Sequence, residues 1–204
     1  MDGEGSPAPN RFELRRQQNR AALLDAALTL FQEQGLRDTK LEEICAHADV
    51  APRTFFNHFE TREHLYAAIA ERRAVQLAAA FDAAGRAELP FAERLTDLLG
   101  RAARYVASRP LYRELVAEML NLRGDGGGES TREGSIGRAA RRFVESAVAR
   151  GEIAERHPPE VLADLLVGAL TTALANWCAS EDYDLEAELS RSARALADLF
   201  TLSP

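Results

Sequence analysis

Apolar residues recur along this chain at helical spacing, and nowhere do they alternate as strand residues do. Between Arg16 and Gln34 the series Ala21, Leu24, Ala27, Leu28 and Phe31 marks one face of an amphipathic helix, and Gly35 stands where a left-handed C-terminal cap belongs. The next stretch, TKLEEICAHADVAPRTFFNHF from Thr39 to Phe59, reads as two short helices joined by a tight turn. Thr39 and Glu42 have the spacing of a capping box, which predicts a helix start there. Leu41, Ile44, Cys45 and Ala48 give that helix a narrow apolar stripe. Asp49 tolerates the left-handed backbone of a sharp turn, Val50 plugs the corner, and Pro52 suits the first turn of the second helix. There Phe55 and Phe59 share one side, while Arg53, Thr54, Asn57 and His58 fall elsewhere. Helices of about eight residues are not stable alone. The preceding helix therefore has to support them, in a three-helix unit spanning roughly Arg11 to Phe59.

From Thr61 the helices lengthen. One runs from a Thr61 cap to near Gly85. The next opens at Pro90 and continues through Leu95, Leu98, Leu99, Ala102 and Val106 to Ser108. Pro110 begins another, with Leu111, Leu115, Met119 and Leu122. RGDGGGE, residues 123–129, reads as a loop, followed by a second capping box at Ser130 and Glu133 and a helix ending at Gly151. Pro158 and Pro159 open the most apolar segment, and Asp184 caps a last helix through Leu185, Leu189, Leu196 and Phe200. The expected fold is all-α, with about nine helices. Residues 1–10 form a disordered tail, 11–60 the helix-turn-helix unit, and 61–204 a helical bundle. The helix over 160–179 is apolar on nearly all sides, so neighbours must cover more than one face. A partner chain would supply that cover, with Leu162, Leu166, Leu170, Leu174, Leu189 and Leu196 as the candidate dimer interface.

With 46% hydrophobic and 28% charged residues the composition is that of a globular protein. No apolar run approaches the roughly 20 residues needed to span a bilayer, and the acidic, polar start MDGEGSPAPN is unlike a signal peptide. A cytoplasmic location is expected. Cys45 and Cys178 lie far apart within apolar patterns and read as small buried hydrophobes. A net charge of −7 argues against a general nucleic-acid coat, yet its distribution does not. Arg11, Arg15, Arg16 and Arg20 gather at the first helix, Lys40 opens the second, and Arg53 and Arg62 lie on and after the third, while much of the acidity falls beyond residue 85.

ALLDAALTLFQEQG followed by TKLEEICAHADVAPRTFFNHFETREHL resembles the N-terminal domain of the tetracycline-repressor (TetR) family of transcriptional regulators. The resemblance covers about fifty consecutive residues with matched spacing, on a helix-turn-helix pattern. Three positions depart from it: Asp49 replaces the usual turn Gly, Ala51 the usual Ser, and Phe56 the usual Tyr, which removes one phosphate hydrogen bond. The family implies a homodimer whose C-terminal helices form a four-helix bundle. It also implies an inverted-repeat operator on double-stranded DNA, and release by a small effector held in the bundle. Repression is the family's usual mode.

The second short helix supplies the DNA-contacting residues. Arg53 is the base reader, because a guanidinium can donate twice to guanine O6 and N7. Asn57 joins it, and Phe56 suits a thymine methyl group. By resemblance Thr54, His58 and Arg62 touch phosphate; Thr39, Lys40 and Arg16 complete the backbone contacts. His58 also admits a packing or capping role. Candidate pocket residues, on the family's precedent, are Phe81, Tyr105, Tyr112, Met119, Phe143 and Trp177. Few charged residues interrupt those stripes, so an apolar or aromatic ligand is expected. Catalysis is not: GxSxG, HExxH, Walker and dinucleotide-binding patterns are absent, and His47, His58, His64 and His157 have no ligand spacing. Neither metal nor cofactor is expected. A helical adaptor that binds protein through the three-helix unit remains an alternative.

Overall fold

The computed structural model describes residues 10–109, 113–124, 133–154 and 156–201. Among these the chain is all-helical: α1 (Arg11–Gln34), α2 (Leu41–His47), α3 (Pro52–Phe56), α4 (Arg62–Arg86), α5 (Phe91–Ala107), α6 (Arg113–Gly124), α7 (Ser135–Ala149), α8 (Pro159–Ala179) and α9 (Leu185–Thr201). They divide into two compact units, one up to Ile69 and the other from Ala70.

In the first unit α1 packs on α2 and α2 on α3. Asn10 starts α1, its side chain accepting from the Phe12 amide. The inner stripe is wider than the sequence reading gave, since Leu23 and Ala26 join Leu24, Ala27, Leu28 and Phe31 in burial while Ala21 is exposed. Leu65, Tyr66 and Ile69 of α4 are buried as well, with Tyr66 edge-on to Phe31 at 5.9 Å. The expected cap of α2 is displaced by one residue. Lys40, not Thr39, occupies the N-cap, and the Glu43 carboxylate, not that of Glu42, accepts from the Lys40 amide at 3.0 Å.

In the second unit α5 packs on α9, and α8 is bordered by α6, α7 and α9. An aromatic core joins four helices: Phe143 meets Phe81 at 6.0 Å and Phe91 at 5.3 Å, and Phe91 meets Phe200 at 6.0 Å. Polar ties lock the surrounding helices. Arg142 of α7 makes a two-pronged contact with Asp82 of α4, both bonds 2.9 Å, which holds that carboxyl below its usual range. Arg104 reaches Glu186 at 3.0 Å, and Arg113 bonds the Ser180 carbonyl while its guanidinium lies 4.5 Å from the Trp177 ring centre.

Three expectations change here. α7 starts at Ser135 behind an N-cap at Gly134, later than a box at Ser130 and Glu133 requires, and Ser130 itself lies outside the described residues. α8 is long and apolar enough to cross a membrane, with 21 residues and a mean hydropathy of 1.5 over its most apolar window, contrary to the reading that no such run exists. Its buried side is nevertheless spent inside the bundle, through Leu162, Leu166, Val167, Leu170 and Trp177. Of the two cysteines, Cys45 is sealed and its thiol pKa pushed up by burial, whereas Cys178 is only half-buried.

Candidate DNA interface and effector cavity

The reader is built by the turn between α2 and α3. Asp49 adopts φ 53°, the left-handed conformation that its short polar side chain tolerates, and the Val50 amide closes the corner on the Cys45 carbonyl at 2.9 Å. Pro52 then occupies the first turn of α3. α3 is shorter than expected, five residues capped by Asn57, and the chain continues as a turn in which the His58 and Phe59 amides both donate to the Phe55 carbonyl. Phe55 and Phe59 are buried at 0% and 2% exposure and anchor this element. The opposite side presents Arg53, Phe56 and Asn57 to solvent, with Thr54 half-buried. Phe56 is 55% exposed, a large apolar surface for a residue held edge-on to Phe55.

The α1 arginines converge on the same element. Arg20 lies over the Phe59 ring at 5.5 Å, and Arg16 is exposed. His58 is half-buried, and its imidazole is held below the usual histidine range, first by desolvation and then by the charges of Arg16 and Arg20. Neutral His58 can donate to a phosphate, or donate to or accept from a base, but adds no charge. Lys40, exposed at the N-cap of α2, adds another cation to this unit.

Two expected contacts are not available in the form anticipated. Thr39 is 1% exposed: its hydroxyl donates to the Gly35 carbonyl at 2.7 Å and accepts from Gln34, so it braces the end of α1 and cannot reach a phosphate. Arg62 turns inward, donating to the Thr39 carbonyl, with its Nε buried and unmatched. It ties the start of α4 to the start of α2. Gln34, which sequence reasoning passed over, bridges this corner by donating to Glu43 at 2.9 Å; the Lys40 amide first, and Gln34 after it, hold that carboxyl below its usual range. Glutamine near a helix end carries no signature that would have singled it out.

The second unit contains a cavity of about 510 Å³ between α4, α5, α6 and α8, with Ile136 and Leu189 completing the wall. Of the aromatic and methionine side chains expected there, Tyr105 and Met119 line it. Phe81 and Phe143 do not, since the aromatic core engages them; Trp177 lies outside the lining too, buried under Arg113. Tyr112 lies outside the described residues. The walls are instead aliphatic and small: Leu77 and Ala80 of α4, Leu98 of α5, Val116 of α6, and Leu170 and Leu174 of α8. Space arises where side chains are short, so a search weighted towards large aromatics looks in the wrong places.

That result also redraws the candidate dimer surface. Leu162, Leu166, Leu170 and Leu189 are buried within the chain's own core, Leu174 and Leu196 are half-buried, and Leu170, Leu174 and Leu189 face the cavity. A partner cannot touch the enclosed ones. The side of α8 that remains open carries Val161, Leu165, Gly168, Thr172 and Ala175, and α9 exposes Leu199.

A proline-started element after an α2 turn, with a sealed inner side and a polar outer side, is the geometry of a helix-turn-helix unit. Residues 23–69 match the family of bacterial regulatory proteins typified by TetR. Within the TcmR transcriptional regulator of Streptomyces glaucescens, 59 residues are 41% identical to this chain, a match covering 29% of this chain and 25% of TcmR. The fold is similar along almost its whole length to a TetR-family regulator of Pectobacterium atrosepticum, at 25% identity and a TM-score of 0.71, covering 96% of this chain and 100% of that one. It also resembles SmeT, the repressor of the Stenotrophomonas maltophilia multidrug efflux pump SmeDEF, at 20% identity and a TM-score of 0.68, covering 90% and 91%. Over residues 23–69 the chain is thus similar to the tetR family of bacterial regulatory proteins, and over nearly its whole length it has the fold of the Pectobacterium atrosepticum regulator.

Proposed function

We propose that this chain is a ligand-responsive, cytoplasmic DNA-binding repressor that reads an inverted-repeat operator as a homodimer and leaves it when a small effector fills the cavity. The observation that carries the reading is the division of α3: Phe55 fully buried beneath it, Arg53, Phe56 and Asn57 open to solvent above it. Arg53 supplies the bidentate donor for guanine and Asn57 a donor and acceptor for adenine, while Arg16, Lys40, Thr54 and His58 serve the phosphates. Pairing is supported by Val161 and Leu165, exposed one helical turn apart on α8, with Leu199 open on α9, since a contiguous exposed apolar patch marks an interaction surface. Twofold pairing sets two readers in successive major grooves, ~34 to 36 Å apart. The cavity supports effector control, with α4 common to its wall and to the first unit. An effector changes operator affinity only by the ratio of its own affinities for the bound and released forms.

The test is a mobility shift of purified dimer on DNA from its own upstream region. A salt-dependent, sequence-restricted shift supports the reading. An intact dimer that shifts no fragment, yet captures a protein through the three-helix unit, replaces it with the adaptor reading.

A further inference from the structure

The charged side chains at the cavity wall come from α4 and α5, and both are engaged within the chain. Arg73 donates to Gln76 Oε1 at 2.6 Å and lies over the Tyr105 ring at 5.4 Å, and Arg109 covers the same ring at 4.2 Å. Arg73 and Tyr105 each have a further interaction besides these. Arg101 pairs with Asp97 at 2.7 Å, where both side chains are at least half exposed. The remaining helices, α6 to α9, contribute apolar side chains with one exception among the described residues, Thr171 of α8. It stands between Val167 and Leu174, one turn away on either side, which line the cavity too. A threonine inside a helix can satisfy its hydroxyl on the carbonyl four residues back, as Thr29 does on Asp25 at 3.0 Å and Thr201 on Ala197 at 2.7 Å. Among the described residues the Thr171 hydroxyl makes no hydrogen bond, and it is not sealed from a ligand, for Thr171 is half-buried at the wall.

We propose, resting on the reading of this cavity as the effector site, that its occupant is an uncharged molecule with an apolar body and one hydroxyl or carbonyl oxygen hydrogen-bonded to Thr171 Oγ1. A threonine hydroxyl both donates and accepts, so either kind of oxygen suits it. Among the described residues that line the cavity there is no Asp or Glu, so a cation finds no partner and meets two arginines. A carboxylate against the α8 wall exchanges its water for a single neutral hydroxyl, which costs far more than burying an alcohol. Reaching the arginines instead, it must displace Gln76 and Tyr105 from Arg73 or lie in solvent beside Arg101. A molecule without oxygen fills the same walls but leaves the Thr171 hydroxyl unmatched.

The experiment compares octanol, octanoate, octylammonium and 1-chlorooctane by calorimetric titration into the full chain at neutral pH in the absence of DNA. Octanol is expected to bind about tenfold or more tightly than either ion. Thr171→Val, which keeps the shape and removes the hydroxyl, should weaken octanol by about threefold to tenfold and leave 1-chlorooctane unchanged. Thr171→Ser keeps the hydroxyl and should keep octanol within about twofold of the native value. Octanoate or octylammonium binding as tightly as octanol overturns the uncharged assignment, and octanol binding that Thr171→Val leaves unchanged overturns the Thr171 anchor. Both of those results leave the cavity as an effector site, whereas failure of all four compounds to bind overturns that reading as well. Because no operator is involved, none of these results depends on the DNA reading.

Discussion

Arg94 and Glu152 form an ion pair in which the arginine is almost sealed, at 1% exposure, and the glutamate only partly covered, at 23%. The same guanidinium donates to the carbonyls of Ala84 and Gly85 at 3.2 and 3.4 Å, near the end of α4, and lies over the Phe143 ring at 5.3 Å. Arg150 joins from α7's end, donating to Gly85 and to Glu152. Carbonyls at a helix C-terminus have no intrahelical partner and carry the negative end of the helix dipole, so two arginines there satisfy both needs. Burial lowers the Arg94 pKa and Glu152 opposes that shift.

Removing Glu152 leaves a buried guanidinium whose remaining hydrogen-bond partners, among the described residues, are neutral carbonyls. Glu152→Ala should cost about 2 to 4 kcal/mol of stability, at the low end of the range for breaking a buried pair because the glutamate is partly wet. Arg94→Met, which fills the space without a charge, should cost less in the Glu152→Ala background than in the native one. Chemical denaturation of the four proteins in a double-mutant cycle checks this; strictly additive losses would contradict the pair.

The two faces of α8 should respond oppositely to substitution. Leu166 is fully buried and Leu165 is 46% exposed. Leu166→Ala should destabilise the fold by about 2 to 5 kcal/mol. Leu165→Glu should leave the monomer's stability nearly unchanged but halve the particle mass seen by size exclusion with light scattering, and Leu199→Glu should act the same way. A wild-type chain that is monomeric at micromolar concentration would remove the proposed pairing.

Because the His58 pKa is depressed in the fold, the native state binds fewer protons than the unfolded chain below the ordinary histidine value of 6.5. Its neutral form costs nothing above that pH. As pH falls through 6.5 towards the lower folded value, the cost of keeping it unprotonated accumulates and stability declines, reaching a plateau below the folded value. A proton-detected imidazole titration should give a His58 pKa under 6.5, rising towards it in Arg16→Gln and Arg20→Gln. An unchanged value in both variants would leave desolvation as the whole cause.

Asp49 holds a positive φ of 53° where glycine would pay no steric cost. Asp49→Gly should raise stability by up to about 1 kcal/mol, and Asp49→Val should lower it by about 1 to 2 kcal/mol with loss of the turn. Thermal unfolding of the two variants decides the matter, and identical midpoints would mean that the turn is not under backbone strain.

Local chemistry made much of the reader legible. Pro52, Asp49 and the Phe55 and Phe59 spacing each act within a few residues, so the α2 turn and the sealed side of α3 follow from the sequence almost directly. The one-residue displacement of the α2 cap arose because Thr39 has a stronger use than capping: its hydroxyl is taken by the Gly35 carbonyl, and Lys40 then starts the helix with Glu43 closing the box. What is non-local was harder. An α8 apolar on most sides does not say which leucines serve the core, which line a cavity and which stay open, because that depends on where α6, α7 and α9 lie. Arg62 and Arg53 look alike as cations nine positions apart, yet only the fold shows that one points inward to the Thr39 carbonyl and the other outward.

The central claim is that the outer side of α3 reads bases, and it is tested most directly by measuring Arg53→Ala against the native dimer on an operator and its single-base variants at fixed salt. The account predicts a loss of about 1 to 3 kcal/mol confined to the base pair that Arg53 contacts, with discrimination there abolished. Arg16→Ala should instead weaken every sequence alike and flatten the salt dependence by about one phosphate. A uniform loss across all sequences for Arg53→Ala would contradict the base-reading role.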